Sequence, residues 1–252
     1  MKGWRGFVSK GLSQVWGMAG RVTGVRPGLR ILMYHAIGTP IPEDRLGLYT
    51  LTPSRFSEQM RVLAANTAIP VRSFADAAGV TQGVAITFDD GYRDGLCEAA
   101  PLLVELGLPF SVFVTTAYIR SGDQLYLSPH ELCELAQCPG ATIGSHGVTH
   151  VKLSECSETE LHRELVDSRN YLEDLLQKPV TTLSYPHGAV DLRVRSAAEQ
   201  AGYVLAACSR FGTNLDDRDP LMLRRTDIWS DDDGEIFRSK MDGNWDWMGW
   251  RT

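Results

Sequence analysis

Residues 84–91 read VAITFDDG, a short apolar run rich in β-branched and aromatic residues that ends abruptly in two carboxylates and a glycine. A run of that length bounded by turn residues is the pattern of a strand buried on both faces. Two adjacent acids at the end of a buried strand must be paired, hydrogen-bonded or bound to a cation, because an isolated buried carboxylate is strongly disfavoured. D-D-G is also ordinary turn chemistry, so the stretch alone leaves a solvated turn open.

Outward from this run, apolar strands alternate with helical periodicity. Residues 29–35 (LRILMYH), 109–114, 141–145, 181–185, 203–207 and 221–228 read as further strands. Between them, Thr52-Pro53 is a cap followed by proline at the first helical position, and Phe56, Met60 and Leu63 share one helix face. Residues 97–106 form a helix whose start or kink is marked by Pro101. Ser128-Pro129 opens another, running to about residue 137. Ser157 and Glu160 form a capping box ahead of a long helix to about residue 177, and residues 190–200 make the last. Strands alternating with helices predict an α/β fold, and six or more such units in one domain predict a distorted (β/α) barrel with its reactive residues at the carboxyl ends of the strands. The chain of 252 residues matches the length of one such domain, and 43% apolar residues supply its core. The expected division is a basic N-terminal segment, 1–28, and a catalytic domain, 29–252.

The formal net charge of −6 argues against a dedicated nucleic-acid binder. Five cysteines (97, 133, 138, 156 and 208), an odd number without a C-x2-C pair, fit free thiols in a reducing, cytoplasmic setting. The N-terminal segment carries Lys2, Arg5, Lys10, Arg21 and Arg26, but no apolar run of about 7–15 residues that would make a signal peptide. Residues 4–22 could form a basic, weakly amphipathic helix touching the inner membrane surface. A helix packed on the domain, or a frayed tail, is the plainer alternative. Oligomeric state is not legible.

The second chemical motif is SHGVTH, residues 145–150, again after a short strand. His146 and His150 stand at a spacing that can aim both imidazoles at one point, and two His with one carboxylate form a facial metal set with positions open for water and substrate. Zn2+ is the default ion, with Co2+ or Ni2+ also suited. A carboxylate outside the metal shell would serve as proton acceptor.

TFDDG followed by SHGVTH resembles the NodB-homology domain of polysaccharide deacetylases (carbohydrate esterase family 4), over roughly residues 29–228. The resemblance implies a distorted (β/α) barrel that removes N- or O-acetyl groups from a sugar in a polysaccharide or glycan precursor. It makes Asp89 the general base and Asp90, His146 and His150 the metal ligands. SYPHG, residues 184–188, is similar to the family's R-x-P-Y/F-G groove motif, placing Tyr185, Pro186, His187 and Gly188 at the substrate, with the Tyr185 N–H as an oxyanion donor. Ser184 stands where that motif has arginine, so Arg225, in LRRTDI, becomes the candidate partner for Asp89. No histidine follows His187, and the family's late acid histidine is therefore absent. Met33-Tyr34-His35 is similar to the branch that carries a Tyr-His near its start, which makes His35 the expected general acid and His187 its rival. Two other readings stay open: a hydrolase of formyl or cyclic amides, and a sugar-binding pseudoenzyme. The tail tryptophans 245, 247 and 250 could stack on sugar or anchor the C-terminal segment.

Overall fold

The computed structural model describes residues 28–250 apart from residues 43, 78, 80 and 81. The reading of residues 1–27 as a basic segment lies outside the described residues. Among the described residues there are ten strands: β1 (Gly28–Tyr34), β2 (Ala36–Ile37), β3 (Thr50–Leu51), β4 (Val71–Arg72), β5 (Gln82–Phe88), β6 (Phe110–Val114), β7 (Ala141–Ser145), β8 (Thr182–Ser184), β9 (Leu205–Ala207) and β10 (Thr226–Asp227). The main sheet runs β10-β1-β5-β6-β7-β8-β9 with every pair parallel, and β4 adds to β5. The sheet curls on itself. Leu223 bridges Ala207 beside β9, and three residues later Thr226 pairs with Leu32 of β1. The fold is the expected distorted (β/α) barrel.

Both faces of the strands are apolar because both are covered. On β1, Leu32 and Tyr34 point outward into a large core shared with Phe56, Met60 and Leu63, the predicted face of helix Pro53–Ala65. The alternate residues Leu29 and Ile31 point inward, where they meet Ala85, Phe113, Leu205, Ala207 and Leu223. Gly144 on β7 makes room for this filling: a Cβ there would come within 2.4 Å of the Phe113 ring.

The capping boxes at Ser128–Glu131 and Ser157–Glu160 both form. The region before Pro101 is a single wide turn, Gly95–Ala99, that hands over to helix Ala100–Glu105. Proline has no N–H to offer Cys97, so a wider hydrogen-bond register is tolerated there. Of residues 221–228, read as one strand, only Thr226–Asp227 form a named strand, because the segment changes neighbour from β9 to β1 along its length. All five cysteines are free. Trp245 is buried with Phe211 and Ile236, so this tail tryptophan anchors the C-terminal segment. Among the described residues, no helix is long and apolar enough to cross a membrane.

Candidate active site

The carboxyl ends of the strands bring the motifs together. Asp89 and Asp90 follow β5, His146 follows β7, Ser184 ends β8, and His35 follows β1. The Asp89 N–H donates to the Tyr34 carbonyl at 3.0 Å, so the two strand ends are stitched where the acids begin.

Asp89 is almost fully buried. Arg225 reaches it from across the barrel with a forked pair, Nη1 to Oδ1 at 2.8 Å and Nη2 to Oδ2 at 2.7 Å. Nη2 also donates to Ser184 Oγ at 2.8 Å, Ser184 Oγ donates to Asp89 Oδ2 at 3.0 Å, and Nε donates to the Cys208 carbonyl at 3.0 Å. The small serine at 184 leaves the space that this guanidinium fills. Burial alone would raise the Asp89 pKa; the charge and hydrogen bonds of Arg225, with His146, hold it well below the usual carboxylate range.

Asp90 turns the other way. It sits at φ 73°, and three of the four described non-glycine residues with left-handed backbone (Asp90, His150 and His187) belong to this site. Such conformations are disfavoured for most residues and gather where the surroundings over-determine them. Asp90 Oδ1 is buried without a hydrogen-bond partner, yet lies 3.5 Å from His146 Nε2 and 3.2 Å from His150 Nε2. Ligand atoms bound at 2.0–2.2 Å to a tetrahedral or octahedral cation stand about 3.0–3.5 Å apart. The three residues therefore fit a divalent cation, with donor atoms all within 4.8 Å of one another.

Their supports fit as well. The Nδ1 of His146 hydrogen-bonds the Ser184 carbonyl at 2.7 Å, a contact that needs the proton on Nδ1 and leaves the Nε2 lone pair inward. The Tyr92 phenol hydrogen-bonds the Asp90 carboxylate. Buried Glu164, on helix Glu158–Leu176, accepts the N–H groups of Val148 and Thr149 at 2.7 and 3.0 Å, shaping the loop that presents His150. His187 packs its ring on His150 with centroids 4.4 Å apart, and its Nε2 hydrogen-bonds the His150 carbonyl at 3.1 Å. Burial lowers the His146 pKa to about 3 and raises that of Asp90 to about 6.

His35 is half-buried against Tyr49 (ring centroids 4.5 Å apart), and its buried Nδ1 has no partner. Burial lowers its pKa, while the Asp90 and Asp89 charges pull it up.

The groove reading of Tyr185 is corrected. Its N–H donates to the Ala207 carbonyl at 3.0 Å within the sheet, and its buried phenol donates to the Leu221 carbonyl at 2.9 Å. Neither group is free for an oxyanion. Pro186 is buried, whereas His187 is exposed and Gly188 half-buried. Asp227, passed over in the sequence, has a buried Oδ1 without partner and a pKa raised by burial to about 7. It pairs with Met33, two residues before His35.

The sequence profile of the polysaccharide deacetylase family matches residues 78–206, and the chain belongs to that family. YxkH of Bacillus subtilis is 27% identical over 223 residues, which is 83% of this chain and 74% of YxkH. The peptidoglycan-N-acetylglucosamine deacetylase of Bacillus cereus is 25% identical over 120 residues, 48% of this chain and 53% of that protein. Among solved structures, the Streptococcus pyogenes deacetylase PplD in complex with acetate superimposes with a TM-score of 0.75 at 24% identity, covering 85% of this chain and 98% of PplD. IcaB from Ammonifex degensii gives 0.68 at 18% identity, covering 87% and 98%. These structural likenesses bear on the fold.

Proposed function

We propose that the chain is a metal-dependent hydrolase that removes the N-acetyl, or O-acetyl, group from a sugar of a polysaccharide or glycan precursor. The observation that carries this is the placing of an ionised, Arg-clamped Asp89 beside the Asp90–His146–His150 cluster, with Asp89 Oδ2 3.8 Å from His146 Nε2. A divalent cation, Zn2+ by default, would be held by Asp90, His146 and His150 and supply Lewis acidity towards an amide carbonyl and towards water. Asp89 takes the proton of the attacking water as general base. Arg225 keeps that carboxylate ionised and oriented; it also makes Asp89 a weaker base, so its advantage lies in position rather than in basicity. His35 gives a proton to the leaving amine. Its buried, unpartnered Nδ1 and its place at the end of β1 support that role. His187 buttresses the His150 loop and lines the groove.

The test is acetate release from N-acetylglucosamine oligomers and glycan precursors, comparing metal-stripped, zinc-loaded and cobalt-loaded protein with Asp89→Asn. Metal-dependent release that the variant loses is the expected result. Protein that holds one metal per chain yet releases no acetate from any sugar would direct attention to formyl or cyclic amides instead.

A further inference from the structure

Between β9 and β10 the described chain contains no helix; the C-terminal segment packs on Phe211 and Thr213 of this stretch and does not line the neighbouring cleft. A cleft of about 270 Å³ opens there, lined by Arg210, Arg218 and Arg224 together with Asp217 and Asp219. Parallel running of the two segments gathers the arginines: the Arg225 N–H donates to the Arg210 carbonyl, and the Cys208 N–H to the Leu223 carbonyl. Arg224 alternates with the inward-facing Arg225 and so points outward, lying across Gly212, where a Cβ would come within 2.9 Å of its Cδ.

No hydrogen bond or ion pair joins any of these three guanidiniums to another described residue. The nearby acids do not neutralise them. Asp219 is held by Arg195 at 2.9 and 3.3 Å and by the Leu221 N–H at 2.9 Å. Asp246 is held on both oxygens by Arg30 at 2.8 and 3.0 Å. Only exposed Asp217 remains at the rim. Arginine cannot shed its proton to relieve the repulsion. The three arginines line one cleft, and the pKa of Arg224 is lowered by burial and then by the Arg218 and Arg210 charges, against the opposing pull of Asp246. This excess of positive charge is local, since the chain as a whole carries −6.

We propose that this cleft binds a phosphoryl group, as a second ligand site on the outer wall of the barrel, distinct from the Asp90–His146–His150 cluster. Guanidinium forks match phosphate oxygens in geometry, and three of them answer a multiply charged anion better than a single carboxylate. The volume falls below the roughly 300–1,000 Å³ that houses larger organic ligands, which favours a compact anion over a sugar ring. Free phosphate and the phosphate of a lipid headgroup share this chemistry.

The experiment titrates the full chain with inorganic phosphate and diphosphate by calorimetry at constant ionic strength, for wild type, Arg218→Gln and Arg224→Gln. Diphosphate should bind more tightly than phosphate, and each variant should weaken it by about tenfold or more, as loss of a charge-assisted fork does. Asp217→Asn should strengthen binding. If Arg224→Gln proves unstable, Arg218→Gln carries the test, because that side chain supports no other residue. In a second arm, flotation with vesicles containing phosphatidic acid that diphosphate reverses identifies a headgroup as the source; diphosphate binding without flotation identifies a soluble phosphate. Absence of diphosphate binding at millimolar concentration, or binding that both arginine variants leave unchanged, overturns the proposal.

Discussion

Arg225 and Asp89, 136 residues apart, meet in a two-pronged ion pair at 2.8 and 2.7 Å, and the Arg225 side chain is wholly buried. The first prediction follows from what is left when one partner goes. Arg225→Met strands a buried carboxylate, which costs roughly 3–5 kcal/mol, whereas the double variant Asp89→Asn/Arg225→Met should recover a good part of that loss. Denaturant unfolding of the two singles and the double checks the coupling. Equal losses in the double and the sum of the singles would mean that the pair is not coupled.

The same pair fixes a pH dependence. Asp89's folded-state pKa is depressed below its unfolded value of about 3.9, so the stabilisation is fully present above that value and disappears as pH falls through the lower folded-state pKa. In Arg225→Met burial is no longer opposed by the guanidinium, and the Asp89 pKa rises. The acid limb of kcat/KM in that variant should therefore lie at higher pH than in wild type. Superimposable pH–rate profiles would detach Arg225 from the ionisation of Asp89.

The third prediction concerns metal affinity. With the His146 pKa lowered to about 3 and that of Asp90 raised to about 6, the imidazole is already neutral in mildly acidic solution while the carboxylate is not yet ionised. A cation must displace the Asp90 proton below pH 6, so affinity for Zn2+ should fall by about tenfold per pH unit there and flatten above it. Competition with a chromophoric chelator between pH 5 and 8 measures this. An affinity that keeps rising to pH 8 would point to another titrating ligand.

Much of this site was legible in the sequence, and the parts that were not have physical reasons. The strand-end acids of TFDDG and the paired histidines of SHGVTH stand out because reactive side chains abruptly follow apolar runs. Arg225 could be suggested because Ser184 is too short to do an arginine's work. The use of the Tyr185 N–H is not legible, since which N–H groups a short parallel ladder uses depends on register with β9, where its acceptor Ala207 lies 22 residues further on. The strands β2, β3 and β4 are not legible because two-residue strands have no periodicity. Glu164 carries a signal in the sequence: it shares the buried stripe of its helix with Leu161, Leu165, Ser168 and Leu172, and an acid on that stripe needs donors.

Glu164 supplies the fourth prediction. Its carboxylate gathers two backbone N–H groups and the Thr149 hydroxyl, which donates to Oε1 at 2.5 Å, so three donors of the 148–149 turn depend on one side chain. Glu164→Ala leaves these donors without their acceptor and frees the loop that presents His150. Zinc affinity should drop by about 10–100-fold, as for other residues that orient metal ligands from behind. Glu164→Gln keeps one accepting oxygen and should lose less. Calorimetric zinc titration of the two variants checks the order; unchanged affinity in the alanine variant would show that the His150 loop holds its shape without Glu164.

The last prediction concerns the tail. Lys240 is fully buried; its Nζ donates to Asp232 and, at 2.7 Å, to the backbone carbonyl of Asp227, and sits 3.9 Å from the centroid of the Trp229 ring. Burial lowers its pKa, and Asp232 opposes that shift, so the charge persists only because carboxylate, carbonyl and aromatic faces surround it. The bond to Asp227 ties helix Gly234–Met241 to the strand that immediately follows Arg225. Lys240→Met fills the space but abandons Asp232, and should lower stability by roughly 3–5 kcal/mol, or on the order of 10 °C in Tm. Adding Asp232→Asn should restore part of it. Because the damage reaches β10, the single variant should also lower kcat while leaving zinc binding unchanged, since Asp90, His146 and His150 follow other strands. Loss of zinc in Lys240→Met would show that the tail supports the whole barrel mouth and not the Arg225 strand alone.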